Sequence, residues 1–226
     1  MLAFNNDLQL KTDLLKQIIL HREQDRIVSG SYGNFSDENF KGCAVGCSLH
    51  SYGIIKGIKI DTAKHSNYEL FGIPRVLARL EDSIFESLPE KQQQLWPKQF
   101  MSAINVGADL STVWPQFAVW LLVDKKWGII KYAKNEQHKK AIQKVAELYK
   151  NGGTKQEFIN AADAAYAYAD AYDAYAAYAA ARVTAAASAT AASAAAYASA
   201  AASATGKYKA RVAQSRKFIS LLKACK

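Results

Sequence analysis

Along most of the chain apolar residues recur at spacings of three and four, the period of an amphipathic helix, and only one short segment alternates as a strand would. A first helix is predicted over Asp7 to Val28, with Leu8, Leu14, Leu15, Ile18 and Ile19 on a broad apolar face and Lys11, Lys16, Arg22 and Arg26 mostly turned away. Gly30, Gly33 and Asn34 then interrupt it, and the polar stretch from Ser29 to Lys41 reads as a loop. The alternating segment is IIKGIKI, Ile54 to Ile60, expected as a short strand or loop edge, although Gly57 weakens it and no partner strand is evident. Helical period returns from Asn67 to Leu88, with Pro74 suited to the first turn and Val76, Leu77, Leu80, Ile84, Phe85 and Leu88 facing one way. Arg75, Arg79, Glu81, Asp82 and Glu86 are expected largely on the other side, Arg79 and Asp82 making at most a surface ion pair, and neither they nor Glu69 are needed for catalysis. Helices follow over Gln92 to Ile104, Leu110 to Val123 and Ala141 to Tyr149, the first two separated by a turn at Gly107. The middle one holds Trp114, Pro115, Phe117, Trp120 and Leu121, a block suited to core packing or, since aromatics dominate interface hot spots, to a binding surface.

From Ala161 to Thr205 the pattern changes, because 27 of these 45 residues are alanine. Alanine loses no side-chain entropy on entering a helix, so this run is predicted helical with little help from packing. Gly152 and Gly153 break what precedes it, Thr154 and Glu157 have capping-box spacing, and Gly206 is the expected stop. At 100° per residue, Tyr168, Tyr172, Tyr175 and Tyr197 fall within about 60° of one another, while Asp163, Asp170 and Asp173 lie opposite. Small side chains between the rings let another helix approach closely, so the tyrosine face is expected to be an interaction surface. Between Val183 and Gly206 there is no charge, but alanine, serine and threonine are weak membrane anchors, so no membrane span is expected. Beyond Gly206, Tyr208, Val212, Ile219 and Leu222 form a stripe flanked by Phe218 and Leu221, a basic amphipathic helix expected to pack back or to pair between chains. The expected architecture is all-α: a helical globular domain over residues 1–150, a long alanine-rich helix over 154–205 and a basic C-terminal helix over 206–226.

Charge is uneven. Residues 1–128 carry 14 Lys and Arg against 14 Asp and Glu, whereas residues 129–226 carry 15 against 6, so the formal net charge of +9 belongs to the second part. Lys207, Lys209, Arg211, Arg216 and Lys217 crowd the end, where cations either complement a helix dipole or attract a polyanion such as nucleic acid. No secretory signal is expected at the start of the sequence and the three cysteines are an odd number, which suits free thiols in a reducing cytoplasm.

The segment GCAVGCSLH, residues 42–50, carries the most suggestive chemistry. In a helix Cys43, Cys47 and His50 share a face, and thiolates with imidazole suit zinc, while a cysteine at a helix start can be a nucleophile. Residues seven apart stand about 10 Å apart along the axis, too far to share one ion, and no second Cys/His pair completes a site. A packed, inert cysteine face is therefore the leading expectation, and no cofactor is expected unless it is zinc. The order of GCAVGCSLH, GIPRVLARLEDSIFE, a Trp- and Phe-rich helix and an alanine-rich C-terminal helix resembles a group of bacteriophage and prophage proteins. That resemblance implies a phage context and no site residues; small phage proteins of this kind often bind and disable host machinery, including defence complexes.

Neither a glycine-rich phosphate loop nor a paired acid–base signature is present. The expectation is a non-enzymatic helical interaction protein that binds itself or a host protein. Nucleic-acid binding through the basic end is the alternative, and a Cys/His metal or thiol enzyme, or small-ligand binder, is the third.

Overall fold

The computed structural model describes residues 1–34, 36, 38–133, 135–166, 194 and 204–226. Among them the fold is all-α, with nine helices and no strand: α1 Leu8–Glu23, α2 Ala44–Lys56, α3 Arg75–Phe85, α4 Glu90–Gln93, α5 Trp96–Ala103, α6 Val113–Val123, α7 Glu136–Asn151, α8 Lys155–Tyr166 and α9 Ala204–Ala224. Among the described residues no helix is long and apolar enough to cross a membrane. Two compact units result, residues 1–111 with 219–226 and residues 112–218, so the division falls at Thr112 rather than at the Gly152–Thr154 break that the sequence suggests.

In the first unit α2 packs against α1, α3 and α5. Every residue from Gly42 to Gly53 is buried, which a helix this rich in Gly, Ala, Ser and Cys allows because neighbours approach it from all sides. Leu14 and Ile18 of α1, Leu49 of α2, Ile84 and Phe85 of α3, and Trp96 and Phe100 of α5 complete this core. Asp7 caps α1, its side chain accepting the Leu10 N–H at 3.0 Å. That helix stops at Glu23, five residues short of the expected Val28, and Asp25 takes a left-handed backbone with φ 51°. Leu8, expected on the apolar face, is exposed.

Of the two readings of Ile54 to Ile60, the short strand does not form, and loop begins only at Gly57. α2 runs on through Lys56 and ends where Gly57 turns left-handed at φ 65°, a helix C-cap that a partial alternation read as a strand. The helix expected from Asn67 to Leu88 is also divided: a 3-10 turn covers His65–Phe71, Gly72 adopts φ 73°, and Pro74 precedes α3. A side chain at Gly72 would collide with the Leu2 carbonyl. The end of the chain joins this unit, as the Asn105 amide donates to the Cys225 carbonyl at 2.7 Å and the Asp109 N–H to the Lys226 carbonyl at 3.1 Å.

In the second unit α6 packs on α7, and α7 on α8. Phe117, Leu121, Ile142, Val145, Phe158 and Phe218 are buried in it. α8 opens with the expected capping box: the Glu157 carboxylate accepts the Thr154 N–H at 2.8 Å, and the Thr154 hydroxyl accepts the Glu157 N–H at 3.2 Å. Of the alanine-rich run, residues 167–193 and 195–203 lie outside the described residues. Gly206 does not stop a helix; it sits inside α9. The stripe α9 buries is also rotated from the expected one, with Ala210, Arg211, Gln214, Ser215, Phe218, Leu221 and Leu222 inward and Tyr208 exposed. Within that stripe Phe218 meets Phe117 with ring centroids 5.5 Å apart, and the Arg211 guanidinium donates to Gln214 at 3.0 Å.

Candidate functional site

Two arrangements bear on function, one in each unit. In the first, Cys43 is the N-cap of α2 and its N–H donates to the Ser31 carbonyl. The loop comes this close because a Cβ at Gly42 or Gly46 would strike the Tyr32 carbonyl, so the i, i+4 glycines are what admit residues 31–33. The Tyr32 hydroxyl then donates to Asp82 Oδ2 at 2.7 Å, His65 Nε2 lies 3.1 Å from the same oxygen, and the Cys43 thiol donates to Oδ1 at 3.4 Å. Burial opposes charge on Asp82, but hydrogen bonds from His65 and Tyr32 outweigh it and hold the carboxyl below the usual range. Burial, and then the Asp82 charge, push the Cys43 thiol up, and burial with the Asp82 hydrogen bond does the same to Tyr32. Cys43 is thus a protonated donor, not a thiolate nucleophile.

Glu81, the neighbour of Asp82 on α3, has the opposite fate. It is wholly buried, its Oε2 accepts the Tyr68 hydroxyl at 2.6 Å, and burial pushes its pKa well above the ordinary carboxylate value, favouring the neutral acid. Sequence reading put both acids on the outer face. The signal that places Glu81 inside was present: it lies on the stripe Leu77, Ile84 and Leu88, four residues after the first and three before the second.

Cys43, Cys47 and His50, taken together as soft ligands, turn to three different neighbours. Cys47 Sγ donates to the Gly42 carbonyl at 3.2 Å, and burial pushes its thiol up. His50 Nδ1 lies 2.9 Å from His21 Nε2, and its ring stacks on Phe40 at 3.9 Å. The cysteine face is packed, with both thiols buried. Among the described residues the group with metal-ligand proximity is instead Cys43, Asp82 and Glu86, whose donor atoms lie within 4.8 Å of one another. Here the Asp82 oxygens already accept three donors and the exposed Glu86 carboxylate accepts the Gly30 N–H at 3.0 Å, so the group serves as a hydrogen-bonded junction of loop, α2 and α3.

The second arrangement is an open cleft of about 460 Å³ in the second unit, lined by Pro115, Gln116, Val119, Trp120, Val123 and Asp124 from α6 and its C-cap, Tyr149 and Lys150 from α7, and Lys217 from α9. Gln116, Val119, Trp120 and Val123 follow the i, i+3, i+4, i+7 rule for one helix face. Trp120 stacks on Phe117 at 5.9 Å, and the Trp114 indole N–H donates to the Tyr149 hydroxyl at 2.9 Å while Tyr149 packs on Phe158 at 4.8 Å, so both walls are braced from behind. Of the sequence-selected basic residues, Lys209 and Arg216 are exposed, Arg211 is buried, the Lys207 side chain is not among those described, and Lys217 borders the cleft. Burial brings Arg211 down to about 10. Tyr168, Tyr172, Tyr175 and Tyr197 lie outside the described residues. No protein-family model matches the chain, and no curated protein or solved structure shows significant similarity to it.

Proposed function

We propose that this chain is a non-enzymatic helical interaction protein and that its second unit seats an apolar side chain of a protein partner. The observation that carries the reading is the braced cleft beside Trp120, whose volume and mostly apolar lining match those of recognition pockets. Its polar groups suit binding better than catalysis. Asp124 caps its own loop, Oδ1 accepting the Lys126 and Trp127 N–H groups at 2.9 and 2.8 Å, and burial pushes the Tyr149 phenol up, which removes the phenol as a general base at neutral pH. The resemblance to phage proteins favours a host protein as the partner, with self-association through the alanine-rich run as the other form of the same activity.

Quantitative mass spectrometry of what co-purifies with the tagged full-length chain, compared with Trp120→Ala, tests the reading. At least one protein should be lost from the variant while its helical circular dichroism is kept. Identical companions for both forms, with identical mass by light scattering, would remove the support. Nucleic-acid binding is the second reading, favoured by the exposure of Lys209 and Arg216 at the basic end. It requires affinity for duplex DNA that falls steeply with salt, and a flat response dismisses it.

A further inference from the structure

Building on the interaction reading, we infer that the segment seated in this cleft is acidic: a bulky apolar side chain enters beside Trp120, and Asp or Glu within about one helical turn of it pairs with Lys150 and Lys217. The charges on the cleft point this way. Lys150 is exposed and Lys217 half-buried, and neither forms an ion pair with the described residues. The one acid in the lining, Asp124, is turned to the backbone of its own loop and is followed directly by the exposed Lys125 and Lys126. Two ammonium groups therefore border the apolar wall against a single carboxylate, one oxygen of which is taken by backbone N–H groups.

The wider field agrees. Residues 112–218 contain 15 Lys and Arg against 7 Asp and Glu, whereas the rest of the chain contains 14 against 13, so the unit that holds the cleft holds nearly all of the net positive charge. A basic surface around an apolar slot accelerates encounter with acidic partners and repels basic ones, while the slot supplies the desolvated contact that charge alone does not. Lys217 can lay its methylene stem along the apolar wall and keep its ammonium at the rim, which places a cation where the backbone of an anchored segment emerges. The wall is set before any partner arrives, since Trp114, Phe117 and Phe158 hold Tyr149 and Trp120 from behind.

A random peptide display library selected against the full-length chain tests the inference, followed by fluorescence anisotropy of the enriched peptides on the wild type, on Lys150→Glu with Lys217→Glu, and on Trp120→Ala. Both lysines reach solvent, so the charge-reversed form is expected to keep its thermal melt, which is checked first. Enriched peptides should carry an aromatic, Leu or Ile anchor beside Asp or Glu. Their affinity should fall about tenfold or more on charge reversal and also on Trp120→Ala. Neutral or basic peptides that still depend on Trp120 would overturn the acidic partner and leave the interaction reading standing. No enrichment, or peptides indifferent to Trp120, would overturn both. A mass that doubles with concentration and returns to monomer in Trp120→Ala would assign the cleft to a second copy, and displacement of the peptides by duplex DNA would assign it to nucleic acid; either result also ends the inference.

Discussion

His21 and His50 meet edge to face inside the first unit, Nε2 of the one 2.9 Å from Nδ1 of the other. His21 Nδ1 lies 2.7 Å from the Gln17 carbonyl, which can only accept, so that nitrogen carries the proton and His21 Nε2 is bare. His50 Nδ1–H is then the donor to His21. Both rings are neutral in this arrangement, and burial moves both pKa values down, His50 to about 4, with the charge on the other ring and on Arg26 adding to the effect for His50.

Stability should therefore decline on acidification. A histidine that stays neutral in the folded chain but protonates near 6.5 when unfolded contributes stability that is complete above 6.5 and is lost as pH falls toward about 4. Each such ring adds a slope of at most about 1.4 kcal/mol per pH unit. Asn at position 50 keeps a donor near Nδ1 but cannot titrate, so urea melts of His50→Asn should show a shallower fall between pH 6.5 and 4 than the wild type. Equal slopes would mean that the pair is not neutral.

Glu81 has the reverse sign. Because burial raises its folded pKa above the unfolded value of 4.5, the neutral acid stabilises fully below that value, and its contribution is lost as pH rises through the folded pKa. Glu81→Gln preserves shape and the acceptor for Tyr68 without the ionisation. Its stability relative to the wild type should grow with pH above 4.5, read from urea melts at pH 5, 7 and 9.

Tyr32 and Gly46 test the junction at Asp82. Removing the hydroxyl in Tyr32→Phe takes a donor from an ionised carboxylate and should cost about 1.5–3 kcal/mol. Gly46→Ala places a methyl against the Tyr32 carbonyl and should cost about 1–3 kcal/mol by forcing the loop away. The two should be less than additive in a double-mutant cycle, because either change displaces the same loop.

Thiol labelling separates a packed cysteine face from a reactive one. Cys43 and Cys47 are buried and held as thiols, whereas Cys225 is half-buried near the chain end. In the native protein one thiol should react quickly with Ellman's reagent, and Cys225→Ser should abolish that phase, leaving two that react only on unfolding. Rapid labelling of Cys43 would return the thiol-enzyme reading to contention.

What the sequence determined by itself is what depends on neighbours along the chain. Helical periodicity and the lack of sustained alternation specify the all-α class, and the Thr154 and Glu157 capping box appears as expected because both partners lie within one turn. The Asp7 cap on the Leu10 N–H is local in the same way, its partners lying three residues apart. Tertiary structure decided whatever rests on distant residues. Asp82 became an ionised junction through Tyr32, His65 and Cys43, which lie 50, 17 and 39 positions away, whereas Glu81 one residue earlier points into the core and is favoured as the neutral acid. α9 buries Arg211 and leaves Tyr208 exposed, with Phe218 against Phe117, which departs from the apolar stripe written in its own sequence. The cleft beside Trp120 likewise needs α6, the end of α7 and α9 side by side. Backbone propensity and capping act within a few residues, but desolvation and packing depend on which surfaces meet, and only the folded chain brings those surfaces together.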